Sequence, residues 1–227
     1  MTDAYYTKKV KCPICNNHFT STKVRAKACI VTKKDEDFCI HYKDINPMFY
    51  EIFVCPTCAY AASENSFEEL NKVEILKLKN AFSGRLVQRD FCHERSLNDA
   101  LDSYKLALYT ANIKDGKNST LAGISLKIAW MYRYMNDEKE LHFIQYALDN
   151  YLIAFEKEQL PIGNLNQIKL MYLIGELYRQ AGNYKESIIW LNRVVSSPER
   201  HSSPVIERLA REQWMTLRED AKSKTAQ

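Results

Sequence analysis

The pattern of apolar and polar positions changes about a quarter of the way along the chain. Up to about residue 62, short β-branched and aromatic runs such as 49–54 alternate with turn-like segments, which is typical of short strands. From about residue 66, apolar residues recur every three or four positions, as they do along one face of a helix. The pattern predicts a mainly α protein with a small β module at 1–62 and a helical domain at 63–222.

Seven helices are predicted from this periodicity and from capping residues. Ser66 with Glu69 fits a capping box, and Ser203-Pro204 places a proline at the first helical position. The predicted helices begin at Ser66, Ser96 and Asn118, then span 138–155, 167–180 (ending at Gly182) and 184–195, and the last begins at Ser203.

A small-large-small triple recurs in the helical domain with a spacing of four and then three positions. The triples are Ala100/Tyr104/Ala107, Ala147/Tyr151/Ala154 and Ser187/Leu191/Val194. Successive triples begin further apart than the period of a tetratricopeptide repeat, which is about 34 residues. We predict a tetratricopeptide-like stack in which Ala147, Gly175 and Ser187 are buried where helices cross. An irregular helical bundle is the alternative.

Two C-P-x-C motifs dominate the N-terminal module. Cys12 and Cys15 form the first, and Cys55 and Cys58 form the second. Four thiolates from two such knuckles are the ligand set of a closed, tetrahedral structural zinc site. Each pair is expected at the turn of a hairpin, as in a zinc ribbon. The segment between the pairs is longer than the usual spacing of about 15–20 residues, so we predict an excursion at about 26–47.

Other interpretations of these cysteines remain open. A rubredoxin-like iron site uses the same four sulfurs, and ligands alone do not separate iron from zinc. A thioredoxin-type redox motif requires a helix after the first C-x-x-C, and the residues there are not helical in pattern. The position after each knuckle, usually glycine, holds Asn16 and Ala59. Asn tolerates a left-handed backbone well, whereas Ala does so at some cost.

Three further cysteines have no assigned role from sequence. Cys39 and His41 lie on the same side of an extended segment, where they could form a second site with Cys29 or simply pack inside the excursion. Cys92 is expected to be an ordinary residue of a helical connection.

The net charge of +4 is concentrated at the N-terminus, where positions 1–34 hold eight Lys or Arg and one acid. A basic patch of this kind can bind nucleic acid, or it can offset the negative charge of a four-thiolate metal site. No apolar run approaches the length that a membrane-spanning helix needs, and the N-terminus lacks a signal-peptide pattern. We therefore expect a cytoplasmic protein with no membrane contact.

The chain resembles an uncharacterised bacterial family of unknown function, whose members join a C-P-x-C…V-C-P-x-C module to tetratricopeptide-like helices. The resemblance departs at Ala59, where glycine is expected, and it implies the architecture without an activity. The residues that carry it are Cys12, Pro13, Cys15, Phe19, Lys23, Val24, Asp37, Phe38, Tyr42, Asn46, Pro47, Tyr50, Val54, Cys55, Pro56, Cys58, Tyr60 and Ala61.

The function predicted from the sequence is that of a non-enzymatic zinc protein whose helices bind a protein partner. P-loop, G-x-G-x-x-G, G-x-S-x-G and H-E-x-x-H motifs are absent from the sequence, and no small-molecule substrate is expected. A nucleic-acid-binding zinc-ribbon protein is the alternative. Aromatic and Arg side chains dominate many interfaces. The residues predicted to bind the partner are Lys127, Trp130, Arg133, Tyr134, Tyr172, Glu176 and Arg179.

Overall fold

The N-terminal part of the chain folds into three antiparallel hairpins. The computed structural model describes residues 4–82 and 90–225, with side chains up to Glu219. Each hairpin is a separate two-stranded sheet formed by strands that are neighbours in the sequence. The strands are β1 (Tyr5–Lys11), β2 (His18–Val24), β3 (Val31–Lys34), β4 (Ile40–Tyr42), β5 (Ile52–Val54) and β6 (Ala61–Ser63).

Helices form most of the rest of the described chain, as the periodicity predicts. Helices α1 to α6 each pack against the next one in the sequence, and α5 also packs against α7. The helices are α1 (Lys72–Phe82), α2 (Leu97–Ile113), α3 (Asn118–Met135), α4 (Lys139–Lys157), α5 (Gln167–Gln180), α6 (Tyr184–Ser196) and α7 (Pro204–Thr225). The mainly helical fold class is confirmed, and the tetratricopeptide-like stack stays a prediction.

The predicted start of the first helix was wrong. The Ser66 hydroxyl contacts that of Ser63 at 2.8 Å, and α1 begins only after Asn71. The Asn71 side chain accepts hydrogen bonds from the backbone N–H groups of Val73 and Glu74, and Glu74 accepts one from the Asn71 N–H. This is a capping box with Asn in place of Ser, and it lies more than one helical turn after the expected position.

The hairpins and the helices share hydrophobic cores. Phe67 lies at the centre of an aromatic cluster, with ring centroids 4.8 Å from Tyr60 and 5.6 Å from Phe53, and Leu78 and Phe82 of α1 extend this core. A second core packs the β5–β6 hairpin against α2 and α3. The core of the hairpins therefore continues past residue 62, where the sequence places the end of the module.

Small residues mark the helix crossings as predicted. Ala147 and Ser187 are fully buried, and every member of the three small-large-small triples is buried. A Cβ atom added to Gly175 would lie 3.1 Å from Cγ of Leu191 and 3.3 Å from its backbone N. The absence of a side chain at Gly175 therefore allows α5 and α6 to approach closely.

Candidate metal centre

The four knuckle cysteines converge at the tips of two hairpins. Cys12 and Cys15 lie in the turn between β1 and β2, and Cys55 and Cys58 lie in the turn between β5 and β6. The Sγ atoms of Cys12 and Cys58 are 3.6 Å apart, and those of Cys15 and Cys55 are 3.5 Å apart. All four sulfurs lie within 4.8 Å of one another. The sequence prediction that these residues form one cluster is confirmed.

The spacing of the sulfurs fits a tetrahedral metal site. Metal–sulfur bonds of about 2.3 Å at tetrahedral angles place the sulfurs about 3.8 Å apart. A disulfide would require about 2.05 Å between sulfurs, and all seven cysteines are free. The four cysteines can therefore bind a metal ion, and their geometry suits zinc and iron alike.

The two knuckles have matching backbones. In each, the residue after the second cysteine has a left-handed φ of 61°, at Asn16 and at Ala59. The N–H of each of these residues donates to the carbonyl of the first cysteine, at 2.9 Å for Asn16 and 3.0 Å for Ala59. This turn points both sulfurs of a pair toward the same side, and Ala59 adopts it despite the cost of its Cβ.

In the absence of a metal, hydrogen bonds between the thiols shift the pKa values of the knuckle cysteines in opposite directions. Hydrogen bonding with Cys55 raises the pKa of Cys12, and hydrogen bonding with Cys12 lowers the pKa of Cys55. The pKa of Cys58 is raised by its hydrogen bond with Cys12. Cys12 and Cys55 are fully buried, whereas Cys15 is exposed. Metal binding needs all four cysteines as thiolates, so it releases the protons that these hydrogen bonds share.

The excursion between the knuckles docks onto the helical part of the chain. The carboxylate of Asp37, which is fully buried, accepts hydrogen bonds at 2.7 and 3.1 Å from the guanidinium of Arg133. The indole N–H of Trp130 donates to the same carboxylate at 2.9 Å. The Tyr134 hydroxyl donates to the carbonyl of Ile40 at 2.9 Å. These three residues of α3 thus bind the chain's own hairpin.

The remaining residues of the predicted partner-binding set are also engaged within the chain. Tyr172 is fully buried, with its ring centroid 5.7 Å from that of Phe38. Glu176 is fully buried and accepts two hydrogen bonds from Arg179, at 2.7 and 2.9 Å. Lys127 forms an ion pair with Glu51.

Two of the residues predicted to bind a partner, Tyr172 and Glu176, are therefore buried and not accessible to one, and this face of α3 and α5 is largely covered by the excursion. Sequence periodicity identifies such a face but does not say which segment packs against it.

A second group of potential metal ligands lies in the β3–β4 hairpin. Carboxylate, thiol and imidazole atoms of Asp35, Cys39 and His41 lie within 4.8 Å of one another. The sequence suggested Cys29 as the partner of Cys39 and His41, but the Cys29 thiol instead lies 3.7 Å from the carbonyl of Arg25. The sequence analysis did not identify Asp35 as a member of this group, although the spacing D-x-x-x-C-x-H contains it.

Much of the basic segment is paired inside the protein. Lys8 and Lys23 both form ion pairs with Glu64, the second at 2.7 Å. The guanidinium of Arg25 lies over the ring of Tyr6. Lys9 and Lys11, by contrast, are exposed on β1. Intramolecular pairing thus reduces the positive charge that this segment offers to a phosphate backbone.

The comparisons with known proteins identify a family for this chain. One curated relative, described as an uncharacterized protein of Borreliella burgdorferi, is 28% identical over 158 residues, which are 60% of this chain and 56% of that protein. The chain thus spans about half the length of that relative. No solved structure matches, and within residues 4–82 and 90–225 we find no helix of the length and apolarity that crossing a membrane requires. The family model described as "Uncharacterized protein conserved in bacteria" matches residues 5–217, so the chain belongs to the bacterial family DUF2225.

Proposed function

We propose that the protein is a non-enzymatic zinc protein in which one structural zinc, bound by Cys12, Cys15, Cys55 and Cys58, organises the N-terminal hairpins. The observation that carries this proposal is the convergence of four sulfurs from two hairpin tips. Four thiolates close the coordination sphere and leave no position for a reacting water. In such a site, the free energy of metal binding stabilises the folded state.

Zinc is the ion we propose because four cysteine thiolates are a common ligand set of structural zinc sites. The left-handed positions hold Asn16 and Ala59 in place of glycine, and a long excursion separates the two pairs. These features depart from the compact rubredoxin pattern and from the compact zinc ribbon alike, so the choice between zinc and iron is made by experiment. Elemental analysis of the purified protein should give about one tightly held zinc for the four-cysteine site. A visible ferric-thiolate absorption band in aerobically purified protein would overturn the assignment in favour of iron.

Matched cysteine variants test the ligand set. Cys55→Ser should release the metal and disorder the hairpins, because Cys55 is fully buried in the cluster. Cys29→Ser is the control, since its thiol lies outside the cluster, near the carbonyl of Arg25. Retention of tightly bound zinc by Cys55→Ser at the wild-type level would contradict the proposal.

We also propose that the protein is cytoplasmic and that its helical part binds a protein partner. The support is the run of sequentially packed helices, since such stacks offer extended surfaces. The residues first predicted for recognition are poor probes, because changing Arg133 or Arg179 would leave Asp37 or Glu176 buried without its cation. Exposed positions on other faces are better probes.

Site-specific photo-crosslinking at exposed apolar positions tests partner binding directly. A crosslinking residue at Tyr109, Leu141 or Ile189 samples α2, α4 and α6, and one at Val31 samples the β3–β4 hairpin. We expect a discrete protein adduct from at least one helical position that survives nuclease treatment. Adducts from Val31 alone, or adducts abolished by nuclease, would refute the helical assignment, and the latter would favour nucleic-acid binding.

A further inference from the structure

One short hairpin presents three side chains with three different metal-binding chemistries. Asp35 follows β3, Cys39 precedes β4, and His41 lies within β4. The turn is closed by hydrogen bonds from the N–H of Asp35 to the carbonyl of Cys39 at 2.8 Å, and from the N–H of Phe38 to the carbonyl of Asp35 at 3.0 Å. The backbone thus gathers a carboxylate, a thiol and an imidazole within 4.8 Å of one another.

Helix α3 holds these side chains in place. The guanidinium of Arg133 donates to Oδ2 of Asp35 at 3.0 Å, and the Cys39 thiol lies 3.2 Å from the Tyr134 hydroxyl. The ring of His41 packs edge-on against that of Tyr134, with centroids 5.4 Å apart. Such outer contacts orient metal ligands in proteins, and a site built this way needs little reorganisation.

The charge around the hairpin suits an added cation. Arg133 contacts three carboxylates, those of Asp35, Asp37 and Glu140, and Lys33 adds one exposed positive charge. Three negative and two positive charges leave an excess of one negative charge with neutral imidazole. A divalent cation bound to a Cys39 thiolate would bring the whole group to neutrality.

We propose that Asp35, Cys39 and His41 form a second metal site for a borderline divalent cation of the zinc type, separate from the four-cysteine site. Mixed sulfur, nitrogen and oxygen ligands suit this class of ion. Three protein ligands also leave one coordination position for water or an external ligand. The site is therefore open, in contrast to the closed set of four thiolates.

The change of geometry needed for binding is small. His41 Nε2 and Asp35 Oδ2 are now 2.7 Å apart in a direct hydrogen bond. Bond lengths near 2.1 Å at a tetrahedral centre would place them about 3.4 Å apart. The two side chains must therefore separate by about 0.7 Å to reach that geometry, and the partly exposed His41 can provide this movement. On binding, Cys39 releases its thiol proton to solvent, and His41 changes tautomer: Nε2 gives up the proton that it now donates to Asp35, and Nδ1 takes one up, so that the neutral ring presents Nε2 to the metal. The Tyr134 hydroxyl has one proton, so it must leave the carbonyl of Ile40 to donate to the sulfur.

Metal stoichiometry of the full chain tests this proposal. Titration of the metal-free protein with Zn²⁺, and separately with Co²⁺ followed by visible absorption, should show two sites in the wild type. The weaker site should disappear in Cys39→Ser and in His41→Gln, while Cys29→Ser retains both. The Co²⁺ spectrum of the weaker site should contain one thiolate contribution, in contrast to four at the knuckles.

The outcomes separate this proposal from the first. A Cys55→Ser variant that loses the tight site but still binds one weaker equivalent would support the second site independently. Saturation of the wild type at one equivalent, or a second equivalent that persists in both Cys39→Ser and His41→Gln, would overturn it. Because His41 is partly exposed, His41→Gln remains informative if Cys39→Ser does not fold.

Discussion

Replacing Arg133 tests whether the excursion and the helices are held together by one partly buried cation. A guanidinium has five N–H donors, and all five of Arg133 are used. Nε donates to Glu140 at 2.7 Å, Nη1 to Asp35 and Asp37 at 3.0 and 3.1 Å, and Nη2 to Asp37 and Gln180 at 2.7 and 3.1 Å. We call these contacts the Arg133 clamp. Burial opposes the charge, but the hydrogen bonds to Asp37 and Glu140 raise the pKa of Arg133 above its usual value.

Arg133→Met removes the charge while keeping most of the side-chain length. Asp37, which is fully buried, would then keep the Trp130 indole at 2.9 Å and the Cys39 N–H at 3.3 Å as donors. Removing one partner of a buried ion pair costs about 3–5 kcal/mol. For a chain of this size, that corresponds to a fall in Tm of roughly 6–20 °C.

Urea denaturation of zinc-loaded protein, followed by circular dichroism, measures this loss. Arg211→Met is the control, because Arg211 is exposed on α7 and pairs with Glu207 there; its cost should stay within about 0.5 kcal/mol. The double variant Asp37→Asn/Arg133→Met should be less destabilised than the sum of the single variants by about 1–3 kcal/mol. Strict additivity, or a loss no larger than that of the control, would refute the clamp.

Three further predictions concern packing, pH and charge. In the same urea assay, Gly175→Ala should lower the free energy of unfolding by about 1–2 kcal/mol, because the new Cβ crowds Leu191. Gly123→Ala is the control: its Cβ would meet the Tyr151 hydroxyl at an ordinary 3.8 Å, so it should be neutral or stabilise by up to about 1 kcal/mol. Hydrogen bonds from Lys23 and Lys8 lower the pKa of Glu64. The extra stability of wild type over Glu64→Gln should therefore be complete above about pH 5 and disappear as the pH falls through this lowered pKa. A stability difference that stays constant down to about pH 2 would contradict this prediction. Any binding of single-stranded DNA should be weak and fall steeply with salt, and Lys9→Glu/Lys11→Glu should reduce it; salt-independent binding would exclude a phosphate contact.

The features predicted correctly from the sequence are those that depend on residues close together in the chain. Ser96 accepts a hydrogen bond from the Asp99 N–H at the start of α2, and α6 begins at Tyr184 as predicted. Gly182 ends α5 with a φ of 77°. The four cysteines were found because two neighbouring residues suffice to turn each sulfur pair inward. A local rule failed at Ser66, where the neighbouring Ser63 competes for its hydroxyl.

The features that sequence could not supply depend on contacts between distant segments. Trp130 and Arg133 were identified as recognition residues because their types and helical positions favour an interface. They do lie in an interface, but it is formed with Asp37, which belongs to the N-terminal excursion of the same chain. Nothing in the periodicity of α3 distinguishes a segment of the same chain from another protein.

The proposed metal centre and the Arg133 clamp should be coupled, because the clamped hairpin lies in the loop that a metal bound to all four knuckle cysteines would close. The segment between Cys15 and Cys55 contains both Asp35 and Asp37. By the chain-entropy estimate, a crosslink closing a loop of about 40 residues restricts the unfolded chain by about 4 kcal/mol. Without metal the excursion samples more conformations, and docking of Asp37 onto Arg133 becomes less favourable.

Arg133→Met should therefore lower the free energy of unfolding by less in metal-free protein than in zinc-loaded protein, because part of the clamp is already lost without metal. The measurement is the same urea titration, run with and without a strong chelator on wild type, Arg133→Met and the Arg211→Met control. An interaction of about 1 kcal/mol or more between metal removal and Arg133→Met, absent for Arg211→Met, is expected. Equal costs in both states would mean that the hairpin docks on α3 independently of the metal, and that the four-cysteine site stabilises only its own two hairpins.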